Sequence, residues 1–227
     1  MTATGDTRTA GSICLLLQTA LPCALFGRSA TTQLILKGGT NATMAPQYDY
    51  WEHVFLPTIQ SRFGIPTDTI VPTCIQRGYY PKGKGEVHVS IESLRTSLPL
   101  NPLVMKERGD VCRVYIRSFY TGKLPPRLAH GMAHAAQEIL QPILGDDVRP
   151  RVDIVKEQNA FGNGTGILIV ATTTTGCLLA GSALGSPKKH FKEVGTKAAE
   201  ELVSTLHDGG CVDEWLQDQL ILFMALA

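Results

Sequence analysis

The stretch Arg77-Gly78-Tyr79-Tyr80-Pro81-Lys82-Gly83-Lys84-Gly85-Glu86-Val87 is a glycine-spaced basic turn that runs straight into a strand. Val87, Val89 and Ile91 fall on one face and His88, Ser90 and Glu92 on the other, the period-two pattern of a half-buried strand. Glycine lets backbone N–H groups come close to an anion, and Arg77, Lys82 and Lys84 add positive charge. The turn is therefore a candidate phosphate or RNA site. The plain alternative is a glycine-rich hairpin carrying surface lysines, and on spacing alone that alternative prevails, because short motifs often match by accident.

Upstream of the turn, Thr9 or Ser12 can cap a helix with apolar residues at 13, 16, 17, 20, 21, 24 and 25, which Pro22 should kink. Residues 33–37 read as a strand. Tyr48, Trp51, Phe55 and Ile59 mark a second helix with Pro57 inside it, and strands follow over 69–75 and 86–93. A Leu/Pro/Asn stretch over 98–102 reads as a boundary. Beyond it, Cys112, Val114 and Ile116 alternate with Arg113, Tyr115 and Arg117. A helix carrying Leu128, Met132, Ala135 and Ile139 comes next, then strands over 152–154, 166–173 and 177–180. This β-α-β-β-β run is expected to form a small α+β insert over 98–184, inside a discontinuous core of 1–97 and 185–227. A helix through Val194, Ala198, Leu202 and Thr205 should stop at Gly209-Gly210. A last helix opens at Asp213 with Leu216, Leu220, Phe223 and Met224 on one face. It runs to the final residue without a polar tail, so the chain is expected to be cut within it, with Leu220–Leu226 uncovered.

The 227 residues are 44% hydrophobic and carry a net charge of +1, so a core is expected and any RNA contact must come from a local basic patch. Six cysteines lack a C-x-x-C pair, which argues against a zinc site or a disulfide scaffold and for reduced intracellular thiols. The apolar stretch from Ile13 to Phe26 is too short to span a bilayer. His130 and His134 have a zinc-like spacing, but no third ligand is evident.

The glycine turn resembles the signature of RNA 3′-terminal phosphate cyclases. Lys37-Gly38-Gly39-Thr40-Asn41-Ala42 through Met44-Ala45-Pro46, Ala160-Phe161-Gly162-Asn163-Gly164 and Leu216-Gln217-Asp218-Gln219-Leu220 are similar to that family in its order. Lys84 stands where the family has a third consecutive glycine. The resemblance implies an α+β fold of repeated two-helix, four-stranded units with a small inserted domain, related to the enolpyruvyl transferases. It also implies ATP-dependent conversion of an RNA 3′-phosphate to a 2′,3′-cyclic phosphate through a histidine–AMP intermediate, with a divalent cation such as magnesium. Gln18, Pro46, Asp218 and Gln219 fall on the family's adenylate-pocket positions. Phe161 falls on the residue of the insert that contacts adenine, and Trp215 stands where the family often has tyrosine.

None of His53, His88, His130, His134, His190 or His207 matches the context of the family's nucleophilic histidine, which lies beyond the last helix. The family also has an arginine- and glutamate-bearing segment before the first residue. The expectation is a member shortened at both ends and inactive by itself. The alternative is a non-catalytic cyclase-like factor in ribosome biogenesis. The partner expected is an RNA 3′-phosphate end, in the nucleus or cytoplasm, with no membrane. Lys84 adds charge but should also hinder close backbone approach, and the second effect is expected to dominate, so that Lys84→Gly strengthens phosphate binding.

Overall fold

The computed structural model describes residues 1–94, 99–145 and 147–227. In chain order it contains β1 (Thr2–Asp6), α1 (Ile13–Leu25), β2 (Thr31–Gly38), α2 (Tyr48–Tyr50), a π-helical stretch (Trp51–Phe55), α3 (Leu56–Phe63), β3 (Ile70–Gly78) and β4 (Gly85–Glu92). It continues with β5 (Val111–Thr121), α4 (Arg127–Leu144), β6 (Arg151–Glu157), β7 (Ala160–Phe161), β8 (Thr165–Thr173), β9 (Leu178–Leu184), α5 (Phe191–Asp208) and α6 (Glu214–Leu226). Two compact units result. One comprises Met1–Val104, Asn159–Phe161 and Gln217–Ala227, the other Met105–Gln158 and Gly162–Leu216. The expected boundary at Leu98 lies outside the described residues. Residues 185–216, expected in the core with 1–97, group instead with the second unit, because α5 packs on α4 and β9.

The first unit holds a five-stranded sheet in the order β1-β2-β4-β3-β7. β1 runs parallel to β2 and β7 parallel to β3, while β4 is antiparallel to both of its neighbours. The alternation read from the sequence places Val87, Val89 and Ile91 at 0% exposure. Ser12 caps α1, its Oγ accepting from the Leu15 N–H. Ile13, Leu17, Leu21 and Leu25 recur every fourth residue and are fully buried where α1 packs on β2 and β4. Burying each contributes about 1.5–3 kcal/mol. The second helical segment keeps its apolar face by a change of pitch. The Leu56 N–H donates to the Trp51 carbonyl, one residue further back than in an α-helix, just before Pro57 interrupts the ladder. Leu220 and Phe223 are covered, contrary to expectation, because the Phe223 ring meets Phe55 and Phe63 at 5.8 Å. The outer residues Ile221, Leu222 and Met224 are exposed.

The second unit is the expected β-α-β-β-β run with α5 added. Its sheet has the order β6-β5-β8-β9, and its core joins Val114, Ile116, Ile167 and Ile169 to the buried faces of α4 and α5. A bulge between Val111 and Arg113 shifts the register of β5, so Cys112 is exposed rather than on the apolar face with Val114. Gly209, in the left-handed region at φ 77°, ends α5 as expected. None of the six cysteines is in a disulfide. Among the described residues, no helix is long and apolar enough to cross a membrane.

Candidate nucleotide and phosphate site

Several of the motif residues form a buried polar network in the first unit. Both terminal nitrogens of Arg77 grip Asp49, at 3.2 and 2.7 Å, with the two side chains 7% and 1% exposed. Asn41 Nδ2 donates to Asp49 and to Gln47 Oε1, Thr40 Oγ1 donates to Asn41 Oδ1, and the Gly78 N–H donates back to Thr40 Oγ1. The Arg77 guanidinium also lies 4.9 Å from the Tyr48 ring centre. Arg77 was expected to offer its charge to a phosphate. The charge goes instead to an internal carboxylate, and a buried bidentate pair is not available to a ligand.

The glycines of the turn serve close backbone packing. A Cβ on Gly78 would meet the Gly85 nitrogen at 2.1 Å, and one on Gly83 would meet the Thr9 carbonyl oxygen at 2.3 Å. The N–H groups of two of them are also taken, that of Gly78 by Thr40 Oγ1 and that of Gly83 by the Tyr79 carbonyl. Lys84, at the family's glycine position, has φ 57°, in the region that costs a side chain about 1–2 kcal/mol. Its Nζ lies 4.7 Å from the Phe161 ring centre. Lys84→Gly is therefore expected to be more stable than Lys84→Ala by about 1 kcal/mol, since both lose the ammonium and only glycine relieves the backbone. Equal urea midpoints for the two variants would refute this.

Of the positions expected from the resemblance to line an adenylate pocket, Gln18 on α1 and Asp218 on α6 come together: Gln18 Nε2 donates to Asp218 Oδ2 at 3.0 Å across 200 residues of chain. Asp218 is exposed, so its carboxylate remains open to solvent. Phe161 is half-buried on β7, beside Gly78. Pro46 is buried just ahead of α2, and Gln219 is only 3% exposed. Trp215 Nε1 donates to Glu201 Oε1 at 3.0 Å, and burial raises the Glu201 carboxyl above its ordinary range.

Lys82 and Lys84 line a cleft of about 390 Å³ in the first unit together with Asp6, Arg8, Lys37 and Glu86. Arg8 and Lys37 were not expected there. Arg8 follows β1, whose Thr2–Asp6 sequence lacks an apolar alternation and gives no strand signal. The His88 imidazole at 2.7 Å, together with Lys37, holds the Glu86 carboxyl below the ordinary carboxylate range. His130 and His134 are exposed on α4, where His134 Nδ1 faces Glu138 Oε1 at 3.5 Å. Among the described residues, no three His, Cys, Asp or Glu side chains gather to hold a metal.

Residues 1–227 match the family model of RNA 3′-terminal phosphate cyclase over their whole length. A probable RNA 3′-terminal phosphate cyclase of Dictyostelium discoideum is 39% identical over 98% of the chain and 50% of its own length. The RNA 3′-terminal phosphate cyclases of Drosophila melanogaster and Pyrococcus furiosus are 35% and 34% identical, over 60% and 61% of their lengths. The chain thus spans between half and about three-fifths of these relatives. The family match along all 227 residues, with relatives 34–39% identical over 98% of the chain, places the chain in the RNA 3′-terminal phosphate cyclase family.

Proposed function

We propose that this chain carries the nucleotide-binding part of an ATP-dependent RNA 3′-terminal phosphate cyclase. The observation that carries the reading is the Gln18–Asp218 bond. Two adenylate-pocket positions, implied by resemblance and remote in sequence, meet at a solvent-facing point. There an exposed carboxylate, oriented by an amide, can accept hydrogen bonds from a ribose. Phe161, half-buried with Lys84 Nζ 4.7 Å from its ring centre, offers an apolar surface to an adenine. The reaction expected of the assembled enzyme is transfer of AMP to an RNA 3′-phosphate, which the neighbouring 2′-hydroxyl then displaces. Magnesium brought in with ATP would be held largely by the nucleotide's phosphates. On the resemblance alone, the compartment proposed is intracellular, with the nucleus favoured.

ATP titrated into the 227-residue polypeptide should bind, and Asp218→Ala should weaken binding about tenfold, the loss of one charge-assisted hydrogen bond. With no histidine in the expected context, the same polypeptide should yield no acid-labile AMP adduct from ATP labelled at the α-phosphate. Unchanged ATP affinity in Asp218→Ala would sink the assignment of the pocket, and an AMP adduct above a boiled control would sink the expectation of inactivity.

A further inference from the structure

The cleft beside the glycine turn is a cationic surface built from two loops. Arg8 comes from one, Lys82 and Lys84 from the other, and Lys37 from the end of β2; all four are exposed. Its two carboxylates are already engaged. Asp6 Oδ1 accepts from the Arg8 N–H at 2.7 Å, and Glu86 faces His88 at 2.7 Å and Lys37 at 3.5 Å. Among the described residues, Arg8, Lys82 and Lys84 have no carboxylate partner. Arg8, Met44 and Lys84 are the described non-glycine residues with positive φ, and two of the three line this cleft, at 58° and 57°. Holding cationic residues in that conformation costs about 1–2 kcal/mol each, and such strain clusters at ligand sites.

We propose that this cleft binds the phosphodiester backbone of an RNA strand, an inference that rests on the RNA-end reading above. A compact triphosphate is held best by a cradle of backbone N–H groups, and here the N–H groups of Gly78 and Gly83 already donate to Thr40 Oγ1 and to the Tyr79 carbonyl. What remains are separate cations on exposed side chains, which suit successive phosphates along a strand and carry no sequence preference. With a net charge of only +1 over the chain, the attraction is local to this cleft. Lys84 joins the cleft to Phe161, so a strand held here runs alongside the aromatic ring proposed to meet the adenine. Charge at position 84 therefore aids binding, and the earlier expectation that Lys84→Gly tightens it is reversed.

The test titrates a short 5′-fluorescent single-stranded RNA, ending in a 3′-phosphate or a 3′-hydroxyl, into the full chain by anisotropy from about 50 to about 300 mM salt. ATP affinity is measured in parallel by calorimetry. Both RNAs should bind. Arg8→Gln/Lys82→Gln should lose about tenfold at the lowest salt and flatten the log–log salt slope by about 1.4, two single-strand phosphate contacts, with ATP affinity unchanged. Failure of the wild-type chain to bind RNA, or equal affinity and slope in the double variant, overturns the proposal. Parallel loss of ATP affinity overturns it too, because the cleft would then hold a triphosphate. If RNA binding responds as expected while ATP binds to no form, the nucleotide reading fails and this inference stands. If the double variant misfolds, Lys82→Gln on the exposed turn carries the same test with half the change in slope.

Discussion

Arg77→Ala is expected to cost about 3–5 kcal/mol, the range found when one partner of a buried ion pair is removed. Asp49 is 1% exposed, so it cannot recover hydration without water entering the unit or the carboxyl taking up a proton. Asn41 still donates to it, but a neutral amide at 3.3 Å replaces neither the bidentate bonds nor the charge. The loss compares with a total stability of about 5–15 kcal/mol for an ordinary domain, so reduced soluble yield should accompany a lowered urea midpoint. Arg77→Met with Asp49→Leu should recover most of the loss, since no orphaned charge remains, and hydrophobic replacement of both partners of a buried pair is often neutral or better. A loss below about 1 kcal/mol in the single variant, or a double variant less stable than the single, would show that the pair is hydrated and weak.

That pair also shows how far the sequence could be read. The hairpin of β3 and β4 was legible because Val87, Val89 and Ile91 repeat at the strand period, and α1 because its leucines repeat at the helical one. The partner of Arg77 was not legible. Asp49 lies 28 residues away in a helical turn, and nothing in either segment's period names the other. The glycines were read as openings toward a ligand, whereas the spaces beside Gly78 and Gly83 are filled by the returning turn and by the Thr9 carbonyl. β1 and the two-residue β7 escaped because each exists through parallel pairing with a distant strand rather than through its own pattern. The Gln18–Asp218 pair was reachable through the family resemblance alone, for neither residue stands out by composition or spacing. The same distinction explains the site as a whole. Local pattern located the glycine turn, but which of its charges stay free depended on long-range partners.

Gly195→Ala should destabilise the second unit by about 2–3 kcal/mol, although alanine is the better helix former by about 1 kcal/mol. A Cβ at Gly195 would lie 2.1 Å from the Met132 carbonyl oxygen and 2.9 Å from its carbon, both backbone atoms of α4. Relief requires the two helices to part by about 1 Å, because no side chain can rotate out of the way. α4 cannot retreat without lifting Ala129, Ala133 and Ala136, at most 3% exposed, off the core. α5 cannot retreat the other way, since a Cβ position on Gly181 of β9 already sits 2.1 Å from the Ala198 carbonyl. The helix is held at backbone distance on both sides, so overpacking at Gly195 propagates through the core instead of being absorbed locally. Glu200→Ala, on the exposed side of α5, is the control and should stay within about 0.5 kcal/mol. The measurements are urea midpoints and hydrogen exchange along α5, which should quicken in Gly195→Ala and not in Glu200→Ala. A Gly195→Ala chain with unchanged or greater stability would mean that helix propensity outweighs the clash and that α4 and α5 separate without loss of core packing.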